Sequence, residues 1–363
     1  MAVTNFEEFS DGDTTTTRTL LHEAIPLTGA IVSGTYGTFP NEENIKNYAH
    51  GMFQSVYDYP YLSSSANHIF DATMGFDEAS VLSASAASSS AGVMANKKSN
   101  MYNQLSQVLL GYTGAANSVS KFESDLTMDL SGTMHDCFFL NFSRLLAKDQ
   151  IKKGSFSLTL GTGSWDNPFG TGLIVLTDAS ASDTGGTAPS LGGDYGVLYA
   201  SGGVDQGLVF YQAGIVVLTG SVFGGDLANP TSILDFMSGT ISPMSGNGAL
   251  TWQRAFTSAS MSGTCDALRH RIQNISFNNT TEINSKIYFC RVPSTAYNHS
   301  SNPTYLNASK IRVKSVATDS PIAYITTIGL YDSANQLMAV AKLSEPLRKD
   351  PTNELTLRVR LDY

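Results

Sequence analysis

The chain ends on Ser320–Tyr363, SPIAYITTIGLYDSANQLMAVAKLSEPLRKDPTNELTLRVRLDY, and this stretch decides the fold class. Within Leu355–Asp362, apolar and polar residues alternate one by one. A period of two is typical of a strand with one face in a core and the other in water or against a partner. Two turn clusters, Asp332–Asn335 and Lys349–Asn353, divide the stretch into three strands. It therefore predicts a C-terminal β-meander.

The composition supports a turn-rich β protein throughout the 363 residues. The chain contains 32 Gly, and its 16 Tyr and 18 Phe greatly outnumber its two Trp. Aromatic residues suit the pleated, half-buried surface of a sheet. A hydrophobic content of 42% with 15% charged residues is typical of a folded chain. We expect a mainly β fold with a few helices, in the α+β class, with antiparallel β-sandwich-like domains.

Changes in texture along the chain predict four segments. Residues 1–17 are acidic and then Thr-rich, which favours an extended arm, and residues 18–155 mix helix and strand patterns in an N-terminal α/β domain. Residues 156–263 are Gly-rich with short strand patterns, which predicts a β domain and leaves open its insertion into the surrounding fold. Residues 264–363 predict the C-terminal antiparallel β domain.

Apolar spacings of three and four residues predict a few helices. The clearest is Asn96–Leu110, which ends before Gly111. A second helix is predicted at Asn141–Lys152, a short one within Asn41–Tyr57, and a helical turn at Ser232–Gly239.

The formal charge of −9 is distributed unevenly. Residues 265–363 carry 12 basic and 8 acidic residues, whereas residues 156–264 carry one basic residue, Arg254, and seven Asp. An acidic chain makes a poor nucleic-acid binder, because phosphate contacts dominate that affinity. A basic C-terminal third either docks against an acidic patch of a neighbour or forms a solvated strand face.

Basic residues recur on one face of predicted strands. Alternation places Arg358 beside Arg360 and Arg269 beside Arg271, and the same pattern recurs at residues 310–314. Like charges side by side repel, so carboxylates are expected opposite them, either in the same chain or in a neighbour. The acidic arm is a candidate source. The predicted interface residues are Glu7, Glu8, Asp11, Asp13, Lys310, Arg312, Lys314, Arg358 and Arg360.

Cysteine usage and the N-terminus indicate synthesis in a reducing cytoplasm. Cys137, Cys265 and Cys290 are odd in number and far apart, which favours three free thiols, mostly buried. Residues 1–8 lack the basic start and apolar core of a signal peptide. No apolar run approaches the length of a membrane span, so we expect no membrane partner.

Motifs that carry chemistry are missing from the sequence. It contains no nucleophile elbow, P-loop, zincin motif or dinucleotide Gly triplet. His135-Asp136-Cys137 is the densest trio, but neighbours in one strand point to opposite faces and do not readily share a metal. Acidic residues are plentiful enough to form pairs by chance, which leaves glycoside hydrolysis open. We expect no catalytic, cofactor-binding or metal-binding residues.

Several stretches resemble virion structural proteins of contractile-tailed phages, particularly those that infect marine cyanobacteria. They span both ends of the chain, and the Gly-rich centre is the least similar part. The stretches are KNYAHGMFQSVYDYPYLSSSANHIFD (Lys46–Asp71), HDCFFLNFSRLLAKDQIKKGSFSL (His135–Leu158), LRHRIQNISFNNTTEINSKIYFCRV (Leu268–Val292), NHSSNPTYL (Asn298–Leu306) and AYITTIGLYDSANQLMAVAKLSEPLRKDPTNELTLRVRLDY (Ala323–Tyr363).

The resemblance implies a particle component without defined functional residues. A tail or baseplate subunit that assembles symmetrically with copies of itself and other virion proteins is the first expectation. A head, neck or decoration protein is an alternative. A carbohydrate-binding module at the host surface, using Tyr57, Tyr59 and Tyr61, is another, and a stand-alone enzyme is the least favoured.

Overall fold

The fold comes from a computed structural model, which describes most of the chain. The described residues are 6–32, 34–85, 91–113, 118–163, 167–170, 172–224, 252–300, 304, 306–308, 310–311, 316 and 318–363.

Strands dominate the described residues, which confirms the mainly β, α+β class. The strands are β1 (Thr14–Thr28), β2 (Ile45–Asn47), β3 (Gln54–Tyr57), β4 (His68–Phe76), β5 (Asp136–Phe142), β6 (Gln150–Ile151), β7 (Ser157–Gly161), β8 (Leu173–Thr177), β9 (Thr187–Ser190), β10 (Gly193–Tyr199), β11 (Asp205–Phe210), β12 (Ile215–Thr219), β13 (Ile272–Val292), β14 (Leu306–Asn307), β15 (Lys310–Ile311), β16 (Ala323–Tyr331), β17 (Leu337–Lys349) and β18 (Leu355–Asp362). The helices are α1 (Gly29–Val32), α2 (Val81–Ser85), α3 (Ala91–Leu109), α4 (Arg144–Ala147), α5 (Trp252–Ser258) and α6 (Met261–Arg271), with 3₁₀ turns at Asp11–Asp13 and Gly220–Phe223.

The chain divides into two compact units. The terminal unit comprises Met1–Leu20 and Glu282–Tyr363, and the central unit comprises Leu21–Thr281. Both β1 and β13 contribute residues to each unit.

The central unit is built on one antiparallel sheet. Its strands follow the order β13-β7-β8-β10-β11-β12-β5-β4-β3-β2, with β6 beside β13 and β9 beside β10. The short strand β2 lies at one edge. Residues 156–263 are therefore not a separate sheet, because β7 pairs with β13 and β12 pairs with β5. This pairing crosses both predicted boundaries and unites three of the predicted segments.

Two apolar cores cover opposite faces of the central strands. On β5, Phe138 and Leu140 belong to one core, whereas Cys137 and Phe139 belong to the other. Helices α5 and α6 contribute to the first core, and Tyr102 and Leu109 of α3 contribute to the second. Burial on both faces explains why these strands read as continuous apolar runs.

The terminal unit has far less buried apolar surface. In it, β18 pairs with residues 285–292 of β13, and β16 pairs with β17 as a separate two-stranded hairpin. The three predicted C-terminal strands are present, but β18 joins β13 and not β17, which differs from a simple meander. Among the described residues of this unit, six apolar side chains are buried: Ile287, Val292, Ile322, Ala323, Leu330 and Val359.

The structure corrects several local predictions. The clearest predicted helix is confirmed as α3. The helix predicted at Asn141–Lys152 is wrong, because its first residues complete β5 and Lys148, at φ 55°, ends the four-residue α4. The helix predicted within Asn41–Tyr57 is also wrong, since β2 and β3 pair there. The turn predicted at residues 232–239 lies outside the described residues.

Strand β4 and helix α3 approach each other closely at Gly75. A Cβ atom at this position would lie 2.6 Å from the carbonyl oxygen of Lys98 and 2.8 Å from the backbone nitrogen of Tyr102. Both atoms belong to the helix backbone, so neither moves without displacing α3. Only glycine allows this packing of helix on strand.

We expect Gly75→Ala to lower the free energy of unfolding by about 1–3 kcal/mol, because overpacking forces the helix away from the sheet. Urea titration followed by circular dichroism measures this effect. Gly185→Ala is the matched control, since a Cβ atom there meets nothing within 4 Å. Equal stabilities of the two variants would contradict the close approach.

Candidate assembly surface

The acidic arm is placed within the terminal unit of its own chain. Glu7, Glu8 and Asp11 are exposed, and Asp13 is buried. Asp13 closes a small turn, because its Oδ2 accepts hydrogen bonds from the backbone nitrogen (2.9 Å) and the hydroxyl (2.6 Å) of Ser10. The arm thus has local order of its own before any contact with a neighbouring subunit.

The arm also contacts strands from the other end of the chain. Asp13 forms a salt bridge of 2.7 Å with Arg291, a basic residue that the sequence analysis did not select. The hydrogen bonds from Ser10 and then the charge of Arg291 lower the pKa of Asp13. The ring of Phe9 lies 5.4 Å from that of Tyr288. One of the four predicted acidic residues is therefore paired with a base of the same chain.

The predicted basic row on β18 is present. Arg358 and Arg360 are both exposed and lie on one face of the strand. Arg360 is tied locally, since its Nε donates to Asp362 at 2.6 Å and its Nη2 donates to Ser285 at 2.9 Å. Arg358 has no ion pair within the described part of the chain. Of the two, Arg358 is the residue left for an external carboxylate.

The other predicted basic row is only partly described. Lys310 lies in β15, whose backbone pairs with β14. Arg312 and Lys314 fall outside the described residues. Of the third row, Arg269 and Arg271 are both buried in the central unit and do not form a surface.

An exposed apolar patch at the end of the β16–β17 hairpin was missed from the sequence. We name it the apolar tip; it consists of Phe6, Tyr331, Leu337, Met338 and Val340, whose exposed fractions run from 45% to 70%. The rings of Phe6 and Tyr331 lie 4.9 Å apart. Alternation alone did not reveal the patch, because it depends on the arm returning to the hairpin.

A polar cluster around the buried Asp77 in the central unit was also missed. Asp77 is 1% exposed, and its carboxylate accepts hydrogen bonds from Nζ of Lys121 and from Nδ1 of His135, the latter at 2.9 Å. Burial acts to raise the pKa of Asp77, but these hydrogen bonds outweigh it and the pKa is lowered. Ser80 lies on the same loop, and its hydroxyl donates to Asp136 at 2.7 Å.

This cluster orients an imidazole but supplies no activated nucleophile. An aspartate behind Nδ1 of a histidine is a feature of catalytic triads and of metal-ligating histidines. Here the Ser80 hydroxyl is engaged by Asp136 and not by His135. Among the described residues, no group of three His, Cys, Asp or Glu side chains is placed to hold a metal ion. The visible role of Asp77 is to join the loop after β4 to the start of β5.

The described residues also form one open depression of 490 Å³ where β8 and β10 end side by side. Its lining is uncharged and includes Thr177, Tyr199 and Ser201. All three cysteines are free, and Cys137 and Cys265 are fully buried. No helix in the described part of the chain combines the length and apolar character that a membrane crossing needs.

Comparison with known proteins adds no family, since no family model, curated protein or solved structure matches this chain.

We expect Asp77→Asn to lower the free energy of unfolding at pH 7 by about 2–3 kcal/mol, because hydrogen bonds to a buried charge are lost. The folded pKa of Asp77 lies below its unfolded value, so its contribution is fully present above about pH 4 and disappears as the pH falls through the folded pKa. Urea unfolding of the native protein and the Asp77 variant at pH 7 and at pH 3 measures this contribution. We expect the difference between their free energies of unfolding to be smaller at pH 3.

Asp183→Asn is the control for this experiment. Asp183 is exposed, so this substitution makes the same chemical change at the surface. A gap between the Asp77 variant and the native protein that stays constant from pH 7 to pH 3 would show that the carboxylate charge is not the source of the stabilisation.

Proposed function

We propose that this chain is a non-enzymatic structural subunit of a phage particle, a component of the tail or baseplate. It is made in the host cytoplasm and incorporated into the virion by symmetric assembly with copies of itself and other virion proteins. The observation that carries the proposal is the terminal unit, whose sparse core leaves the apolar tip uncovered. The resemblance of both ends of the sequence to virion proteins also supports a role as a particle component.

The physical argument rests on the β16–β17 hairpin. A two-stranded hairpin is marginally stable in water unless it packs against further structure. Tyr331, Leu337 and Val340 are each about half exposed, and Met338 is 70% exposed. Covering a large apolar side chain contributes about 1.5–3 kcal/mol. Packing of the tip against another subunit therefore supplies stability that the terminal unit does not obtain from its own core.

The charged residues complement this apolar contact. Arg358 stands exposed on β18, while Glu7, Glu8 and Asp11 stand exposed on the arm. Opposite charges on different parts of one subunit favour head-to-tail contacts, which close into rings or continue as stacks. Such charges steer association and fix its register, while the apolar tip supplies most of the affinity.

Adding charge to the apolar tip is expected to block assembly without unfolding the protein. We expect the double variant Met338→Glu/Val340→Glu to reduce self-association at least tenfold, because it buries two carboxylates in the contact. Sedimentation velocity over a range of concentrations, with negative-stain microscopy, measures the assemblies. Val93→Glu is the control, since Val93 is 64% exposed on helix α3 of the central unit.

A native chain that stays monomeric at every concentration, alone and with the other particle proteins, would contradict the assembly proposal. Mass spectrometry of purified particles tests the placement directly. Absence of the chain from the particles of the phage that encodes it would overturn the virion assignment, and labelling of the particle locates it in the tail, baseplate, neck or head.

A further inference from the structure

The central unit carries a second surface, made of aromatic rings, at the β2 edge of its sheet. The rings come from residues 36–68, in strands β3 and β4 and in the loops that precede β2, β3 and β4. They are partly exposed, with Tyr59 at 51% and Tyr61 at 37%. We name six of them the aromatic row, namely Phe53, His50, Tyr48, Tyr61, Tyr57 and His68.

The first half of the aromatic row is a group of three rings in mutual contact, since the centroids of Tyr48 and Phe53 also lie 4.7 Å apart. The ring centroids of Phe53 and His50 lie 5.0 Å apart, and those of His50 and Tyr48 lie 5.3 Å apart with their planes parallel to within 5°. The Nζ atom of Lys46 then joins the two halves, since it lies 4.9 Å from the ring of Tyr48 and 6.0 Å from that of Tyr61.

The second half of the row continues from Tyr61. Its ring lies 6.3 Å from that of Tyr57, which lies 5.5 Å from that of His68. Beside the row, Tyr59 pairs with Tyr36 at 5.7 Å. The aromatic surface is therefore extended rather than a single stacked pair.

Hydrogen-bonding groups lie beside the row, and two of them are bonded to Ser55, which is 2% exposed. Asp71 accepts a hydrogen bond from Ser55 and lies 2.8 Å from Nε2 of His68. The hydroxyl of Tyr48 lies 3.2 Å from that of Ser55. Burial, and then the neighbouring Tyr48, raise the pKa of Tyr57, so its phenol remains a hydrogen-bond donor. The rings thus present apolar faces beside a carboxylate, an ammonium group and neutral hydroxyls.

The backbone under the row is held firmly. Buried Asn44 donates from its amide to the carbonyl oxygens of Ile31 (2.8 Å) and Tyr57 (2.9 Å). The loop that carries Tyr59 and Tyr61 is closed by Asp58, which accepts from both the backbone and the amide of Asn67. Surface rings on a fixed backbone lose little entropy when they bind a ligand.

We propose that the aromatic row is a binding site for the sugar rings of a saccharide chain. A sugar unit has an apolar face of C–H groups and a polar edge of hydroxyls, and each tyrosine here has an apolar face and a polar tip. The alternation of rings with Asp71, Lys46 and phenol hydroxyls matches both parts of such a unit. Specificity in such sites comes from a few placed polar groups.

The contrast with the apolar tip favours a saccharide over a protein partner. The apolar tip consists of Leu, Met, Val and two other rings in direct contact with water, without a carboxylate among its members. The aromatic row consists mainly of Tyr and His with charged groups between them. A protein contact gains most from a desolvated apolar centre, which the row interrupts with Lys46. This inference stands apart from the proposed assembly role.

A glycan array tests the proposal. The array carries defined oligosaccharides and bacterial O-polysaccharides and is probed with the labelled full-length chain. We expect selective binding, which titration of the best soluble oligosaccharide then quantifies. Tyr61→Ala and Tyr48→Ala are expected to weaken it at least tenfold, and Tyr61→Phe to weaken it less, because the ring is kept. Tyr112→Ala is the control, since Tyr112 is 57% exposed elsewhere in the central unit.

Three results would overturn the proposal. They are the absence of binding to any saccharide in the panel, binding that survives both alanine variants, and preferential binding of a proline-rich peptide, the other extended ligand of aromatic grooves. Thermal unfolding of each variant checks its fold. If one alanine variant is destabilised, the other still tests the site. The assembly assay uses variants of the terminal unit, whereas the array uses variants of the central unit. A negative array result therefore overturns the saccharide site and does not affect the virion proposal.

Discussion

A strand that is apolar at every position must be covered on both faces, and this constraint organises the central unit. Strand β5 reads Cys-Phe-Phe-Leu after Asp136, and β12 reads Ile-Val-Val-Leu. No single layer of helices can bury such strands. The two apolar cores follow directly, with α5 and α6 on one face and α3 contributing to the other. At Gly75 the backbone of α3 lies too close to the sheet for a Cβ atom.

The terminal unit follows the opposite rule. Along β18, Val359 is buried while Arg358 and Arg360 on either side are exposed. A strand of this kind needs cover on one face only, and few apolar residues of the unit are fully buried. The difference in strand pattern thus separates a unit with two extensive apolar cores from one with few buried apolar side chains. The proposed assembly role rests on that difference.

Patterns that depend on neighbours in sequence were predicted well. The alternation of β18 and the apolar spacing of helix α3 were both visible in the residues themselves. Patterns that depend on distant pairing were not. Asn141 and Phe142 fit a helix by spacing. In the structure they extend β5, where they pair with Asp71 and Phe70 of β4. The partner of β18 is β13, a choice that turn residues do not encode.

The candidate sites show the same division. The basic face of Arg358 and Arg360 could be predicted from a period of two. The cluster of Asp77, Lys121 and His135 could not, because its members lie far apart in the chain and meet only when the loop after β4 closes on β5. Buried charges of this kind leave no local signature, since a carboxylate followed by small residues is also typical of an exposed turn.

The arm and its contact partners lie far apart in the sequence, at residues 6–13 and 288–331. Phe9 and Asp13 lie against Tyr288 and Arg291, and Phe6 lies against Tyr331. The terminal unit therefore forms only after Tyr288, Arg291 and Tyr331 have been synthesised, when all of the central unit, Leu21–Thr281, has already been made. A ribosome that stops before Glu282 releases a product in which the arm lacks these partners and the terminal unit is not formed.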